Sequence, residues 1–266
     1  LLLAGFSAFE VLSYRWGVAS IVLIVFGWLS GCNFRLAGKD WGVVFLLSLL
    51  RAVTSFSLII AYQNIASGVA STIHFMYPLA VALAMMFFFR EKKSLLVILA
   101  VLMSLLGAAL LSLGELEAKS GNTMVGLVAA CVSVFSYAGY IVGVRTTRAV
   151  QINSTALTCY VMGLGTIFYL IGAYCTSGLQ LVSDGYTWLS ILGLALPATA
   201  ISNITLVQAI KYAGPTLTSI LGAMEPLTAV VIGVFVFKEL FTVNSAVGII
   251  LILLAVSIVV FRRQKS

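Results

Sequence analysis

Residues 52–89 contain no Lys, Arg, Asp or Glu. A stretch that long without charge cannot coat a water-facing surface, so its side chains meet hydrocarbon or one another. A bilayer core takes about 20 helical residues per crossing. The stretch is therefore too long for one span, and Gln63, Asn64 and Gly68 supply the turn that divides it. The pattern extends along the chain: 9% of the 266 residues are charged and 62% are hydrophobic, against about a quarter charged in a soluble domain. A soluble globular fold is excluded. A transmembrane barrel is excluded as well, because barrel strands alternate apolar and polar residues, whereas residues 95–113 and 243–261 are apolar on every side. The fold class is an all-α integral membrane protein, a helical bundle.

The uncharged runs predict nine spans: residues 8–29, 41–62, 67–89, 95–113, 124–144, 155–176, 188–212, 215–237 and 243–261. Trp41 and Trp188 open their spans as interface anchors. Loops on one side, with the tail, carry Arg35, Lys39, Arg90, Lys92, Lys93, Arg145, Arg148, Lys211, Arg262, Arg263 and Lys265; the other side carries only Lys119 and Lys238, together with Glu10, Glu115, Glu117, Asp184 and Glu239. That bias places the C-terminus in the cytoplasm of a plasma (inner) membrane protein. The net charge of +7 thus reads as topology and not as a nucleic-acid face. Cys32, Cys131, Cys159 and Cys175 form no CxxC pair and read as small apolar fillers. Residues 1–5 have neither the basic start nor the cleavage site of a signal peptide.

An internal repeat organises the chain. At an offset of 148, Met76, Pro78, Leu79 and Glu91 fall on Met224, Pro226, Leu227 and Glu239, and upstream Ala61 falls on Ala209 and Ser71 on Ser219. Apolar segments match by chance easily; a shared mid-span Pro followed by a shared basic-Glu pair at the helix exit does not. The two copies lie on opposite sides by the charge bias, which makes an inverted repeat of the kind secondary transporters use. The repeats are expected at residues 1–123 and 124–266. The image of Met124 falls before residue 1, so nine spans are visible of an expected ten, five in each copy.

The signature Pro78-Leu79 to Arg90-Glu91, repeated at Pro226-Leu227 to Lys238-Glu239, resembles the drug/metabolite transporter (DMT) superfamily, specifically the ten-helix EamA type. Arg15 in the opening helix and Ala61 and Ala209 ahead of each signature add to the likeness. The resemblance implies a permease whose central cavity is lined by family helices 1, 3, 4, 6, 8 and 9, with export as the usual direction. The first of those helices is missing from this chain. Tyr77 stands where the second copy has Glu225, so the halves are not expected to act equivalently.

Ionisable groups in mid-membrane are costly and mark function. Arg51 and Glu225 each lie ten residues into their helices, about 15 Å deep at about 1.5 Å per residue. Opposite charges at one depth suggest a pair: either a coupling device in which Glu225 takes up and releases a proton, or a fixed salt bridge. Arg15, nearer the outer surface, is expected to snorkel to the headgroups. His74 shares a stripe with Ser67, Ser71 and Pro78, lining either a cavity or a tight helix interface. Pro78 and Pro226 act as hinges or as plain kinks, and leave the carbonyls of His74 and Gly222 without helical donors. Further stripes are Arg51, Ser55 and Tyr62; Ser133, Tyr137 and Tyr140; and Thr199, Asn203 and Gln208. They fall on helices 3, 6 and 8 of the family count, and His74 and Glu225 on helices 4 and 9. The expected substrate-binding residues are therefore Tyr62, Ser71, His74, Tyr77, Ser133, Tyr137, Tyr140, Asn203 and Gly222, each also open to a packing role.

These features point to a secondary transporter of a small metabolite, such as an amino-acid-like solute, a nucleoside-like metabolite or a drug. Its partners are that solute and the bilayer, without nucleic acid, and a monomer is compatible with the sequence. The chain has no G-x4-G-K-[ST] loop, no HExxH and a single His, so no ATP hydrolysis, catalytic residues, metal or other cofactor is expected. A structural membrane partner and an intramembrane enzyme are the alternatives.

Overall fold

The computed structural model describes residues 6–91, 95–112, 121–176, 178, 180–182, 184–222, 224–236 and 242–264. Among these residues every regular element is helical: α1 (Ala8–Leu29), α2 (Trp41–Asn64), α3 (Ser67–His74), α4 (Tyr77–Phe88), α5 (Leu95–Ser112), α6 (Thr123–Thr146), α7 (Ser154–Thr176), α8 (Gly185–Ala195), a π-helical segment (Leu196–Ile201), α9 (Ser202–Ala213), α10 (Pro215–Leu221), α11 (Met224–Val236) and α12 (Val243–Gln264), with short 3-10 turns at Gly38–Asp40 and Arg148–Gln151. Among the described residues six helical segments are long and apolar enough to cross a bilayer, Ser67–Phe88 and Gly185–Ala213 being two of these. Large apolar side chains point outward along them, Trp28, Phe88 and Tyr174 each more than three-quarters exposed, as a lipid-facing surface requires. Lys92, Lys93, Glu115, Glu117, Lys119, Lys238, Glu239 and Lys265 lie outside the described residues.

Local chemistry sets the helix ends. At α1 the Ser7 hydroxyl accepts from Glu10 N–H while the Glu10 carboxylate accepts from Ser7 N–H, a reciprocal capping box. Gly214 turns the chain into α10 at φ +89°, where a side chain would be strained. Three expected spans are interrupted. The span 67–89 breaks between His74 and Tyr77, 215–237 breaks after Leu221, and 188–212 passes through the π-helical segment, which starts at Leu196 and carries Pro197 in its first turn. Pro78 sits in the first turn of α4, where its missing N–H costs nothing. Both signature prolines thus start a second half-helix and do not kink a continuous one.

Helix bounds repeat at the sequence offset. Shifted by 148 residues, α1 covers 156–177 against Ser154–Thr176, α3 covers 215–222 against Pro215–Leu221, α4 covers 225–236 against Met224–Val236, and α5 covers 243–260 against Val243–Gln264. The α3–α4 break thus recurs between α10 and α11, whereas the π-helical segment has no counterpart in the continuous α2.

The chain divides into two compact units, one of Leu1–Phe56 with Gly143–Tyr212, the other of Ser57–Val142 with Ala213–Ser266. Each takes segments from both expected repeats. In the first unit α1 packs along its own repeat image, α7. The contact is made by glycine: Trp16, 1% exposed, lies so close over Gly165 that a Cβ there would come within 2.2 Å of its ring. In the second unit α5 packs along its image, α12, where Gly107 meets the Gly248 carbonyl and Ile252. Ala100 and Ala255, both fully buried, continue that seam. Small residues let backbones approach where lipid supplies no hydrophobic drive between helices.

Candidate functional site

The expected site residues assemble as two clusters, one in each unit. In the second unit the break between α3 and α4 presents His74 and Tyr77 to α6. His74 Nδ1 lies 2.9 Å from Ser133 Oγ, which is itself 2.6 Å from the Ala130 carbonyl. The hydroxyl has one proton, and the carbonyl can only accept it, so Ser133 receives from an Nδ1–H tautomer of His74. The imidazole stacks on Tyr137 with centroids 5.5 Å apart, and Tyr77 meets Tyr137 edge-on at 4.6 Å. Tyr77, 2% exposed, sets its hydroxyl directly over Gly222 at the end of α10, where a Cβ would lie 1.8 Å from it. Tyr140 is fully buried one turn along α6. Tyr62 and Ser71 join through their hydroxyls at 3.1 Å. His74, Tyr77, Ser133, Tyr137 and Gly222 thus converge where both interrupted helices change direction.

Glu225 occupies the first turn of α11, and its side chain is exposed. A half-helix N-terminus carries partial positive charge that favours a carboxylate. The Gly222 carbonyl, expected to lack a donor, accepts from Glu225 N–H at 3.0 Å. The break corrects that expectation: the chain closes a shorter turn before Pro226 and so satisfies the group.

In the first unit, Arg51 donates through Nε to Asn203 Oδ1 and through Nη1 to Ser55 Oγ, both at 3.2 Å. Asn203, 1% exposed, is held in turn by its amide on the Thr199 carbonyl at 2.7 Å. Arg15 does not snorkel. It donates through Nε to Thr199 Oγ1 at 2.5 Å and through Nη2 to the Ala198 carbonyl at 3.2 Å, both within the π-helical segment. A π turn leaves backbone groups out of register with the helical ladder, and an arginine reaching from α1 finds them there. Gln208, expected on the same stripe, is exposed. Arg51 and Glu225 belong to different units, and the described hydrogen bonds of Arg51 stay within its own.

Sequence reasoning missed Tyr169 and the inward reach of Arg15. Tyr169, 2% exposed, donates to the Ala52 carbonyl at 2.8 Å and meets Trp16 edge-on at 5.1 Å. A signal was present in the repeat: at the offset of 148, Arg51 and Ser55 fall on Thr199 and Asn203. The structure links them crosswise: Arg51 donates both to Ser55 and to Asn203, the repeat equivalent of Ser55. Among the described residues no group of three metal-ligating side chains converges.

A model of the EamA-like transporter family matches residues 1–113 and again 124–261. The chain belongs to the EamA-like transporter family. It is 28% identical over 238 residues to an uncharacterized transporter from Archaeoglobus fulgidus, a match covering 88% of this chain and 83% of that protein. A solved crystal structure, 18% identical, superposes with a TM-score of 0.82 over 98% of this chain and 90% of its own, a likeness of fold. This EamA-like protein is a multi-pass membrane transporter.

Proposed function

We propose that this transporter is a secondary carrier that moves a small metabolite by alternating access, with the solute held among the polar and aromatic side chains at the helix breaks. The observation that carries the reading is the convergence of His74, Tyr77, Ser133 and Tyr137 on the interrupted helix α3–α4, beside the Gly222 end of α10. Broken helices at mid-membrane supply backbone and side-chain groups to a solute without exposing them to lipid. Stacked Tyr and His faces suit an amphiphilic solute such as an amino acid, a nucleoside-like metabolite or a drug. Export is the direction, the protein sits in the plasma membrane with its C-terminus in the cytoplasm, and the two EamA repeats are 1–123 and 124–266. Glu225 is the proton-coupling carboxylate, and Arg51, ten residues into its own helix as Glu225 is into its span, is the opposite charge. Pro78 and Pro226 mark the hinges.

The test is flux in proteoliposomes with and without a pH gradient, after a solute is chosen by thermal stabilisation of the detergent-purified protein. Wild type is expected to accumulate solute with the gradient. Glu225→Gln is expected to lose the dependence on pH while retaining downhill exchange. Unchanged pH dependence in that variant removes Glu225 from coupling, and no flux of any stabilising solute removes the carrier reading.

A further inference from the structure

Cations from three separate stretches of chain gather at one end of the first unit. Tyr160, in the first turns of α7, donates its hydroxyl to the Phe34 carbonyl at 2.6 Å and ties the α1–α2 loop to that end. Arg148, in the α6–α7 connection, pairs with Asp40 at 3.2 Å. Arg145, at the exit of α6, donates to the Lys211 carbonyl at 2.7 Å, and the Lys211 ammonium donates to the Ile152 carbonyl. The loop residues Arg35 and Lys39 thereby join Arg145, Arg148 and Lys211. Of the unit's three acids, Glu10, Asp40 and Asp184, only Asp40 lies at this end. Glu10, in the first turn of α1, accepts from the Gln180 N–H beyond α7, and Asp184 caps the start of α8, both at the opposite end.

The same end borders the lipid-facing surface. Trp28 and Leu29 close α1, Trp41 opens α2 and Tyr212 follows Lys211, all four exposed. Exposed Trp and Tyr collect at the level of the lipid headgroups. Arg35, Lys39, Arg145 and Arg148 are exposed beside them. Their scaffold is ordered: Asp40 positions Arg148, and Thr147 Oγ1 accepts from the Ala149 N–H to fix the 3-10 turn that carries it. The carbonyls that hold Arg145 and Lys211 order these cations without cancelling their charge. Side chains already held in place lose little freedom when an anion arrives.

We infer that this end of the first unit is a docking surface for the anionic phosphate headgroups of the bilayer, with Arg35, Lys39, Arg145, Arg148 and Lys211 supplying the charge and Trp41 and Tyr212 the interfacial anchors. Basic side chains at a membrane surface attract acidic lipid, each contributing a factor of about five in affinity. The arginines add paired N–H donors that match phosphate oxygens. The inference is independent of the carrier reading and of which face of the membrane this end occupies.

The full chain, purified in dodecyl maltoside, is titrated with phosphatidylglycerol or with phosphatidylcholine, and thermal unfolding is read at each mole fraction of lipid. Phosphatidylglycerol is expected to raise the unfolding temperature and to reach half its effect at a mole fraction about five-fold or more below that of phosphatidylcholine. Added salt is expected to narrow the gap. Arg35→Gln combined with Lys39→Gln, whose side chains make none of the contacts above, is expected to unfold at the wild-type temperature without lipid and to raise the phosphatidylglycerol midpoint about ten-fold. Arg35→Lys combined with Lys39→Arg keeps both charges and is expected to match wild type; a shift there as large as in the glutamine variant means packing and overturns the surface. An equal response to the two lipids, or a phosphatidylglycerol midpoint unmoved by the loss of both cations, overturns it as well. A third arm replaces lipid with sodium phosphate at matched ionic strength. Stabilisation by phosphate that equals that of phosphatidylglycerol and needs the same two cations assigns them to a soluble anion and overturns the lipid reading.

Discussion

Tyr77 and Gly222 show what a single atom decides at the centre of the second unit. The tyrosine is locked between His74 and Tyr137, so its hydroxyl cannot swing away from a new methyl group at Gly222. Gly222→Ala is expected to lower the unfolding temperature of the purified protein, at a cost of about 1–3 kcal/mol for overpacking. Tyr77→Phe in the same chain removes the colliding oxygen and is expected to recover more than half of the loss. Equal losses in the single and double variants would mean that Gly222 matters for its backbone and not for this contact. The stripes His74 with Ser71, and Ser133 with Tyr137, were readable as candidate residues because helical spacing puts them on one face. Their meeting across α3 and α6 was not readable, since spacing fixes the face of a helix and says nothing of its neighbour. Arg15 was misjudged for a related reason: depth along α1 indicated the headgroups, while the nearest acceptors lay sideways, on the π-helical segment.

At the scale of elements, close helix pairs depend on what their glycines meet. A Cβ at Gly107 would come within 2.7 Å of the Gly248 carbonyl oxygen and of Ile252, so α5 and α12 would have to part. Gly193, exposed in α8, would meet nothing within 4 Å. Gly107→Ala is expected to destabilise the protein by about 1–3 kcal/mol, and Gly193→Ala to be neutral or mildly stabilising because alanine favours helix. Thermal unfolding of the two variants side by side distinguishes contact from propensity. The start of α8 responds to pH. Asp184 is held below its ordinary value of 3.8 chiefly by the Thr187 N–H, with the Thr187 hydroxyl and the Tyr186 N–H adding to it. A depressed carboxylate contributes its stability above its unfolded value and loses it as pH falls through the folded one. Protection of the first-turn amides of α8, taken relative to the intrinsic exchange rate at each pH, is therefore expected to fall below about pH 4, and Asp184→Asn to keep the cap while removing that acid dependence.

At the scale of the molecule, scarcity of charge commits the chain to lipid. Alkaline carbonate, which strips peripheral proteins, is expected to leave it in the membrane pellet, and release into the supernatant would contradict the spans Ala8–Leu29 and Ser154–Thr176. Composition commits the chain to a helical, membrane-embedded fold, and its uncharged runs mark where most helices begin and end. Hydropathy and periodicity are local properties, and hydrocarbon leaves a spanning segment little choice but helix. Only the tertiary structure decided that α1 packs on α7 and α5 on α12, that the signature helices are broken, and that Arg15 and Arg51 share one scaffold. Those outcomes depend on contacts between residues as far apart as Arg15 and Thr199, and such contacts form only after each helix has chosen its neighbour.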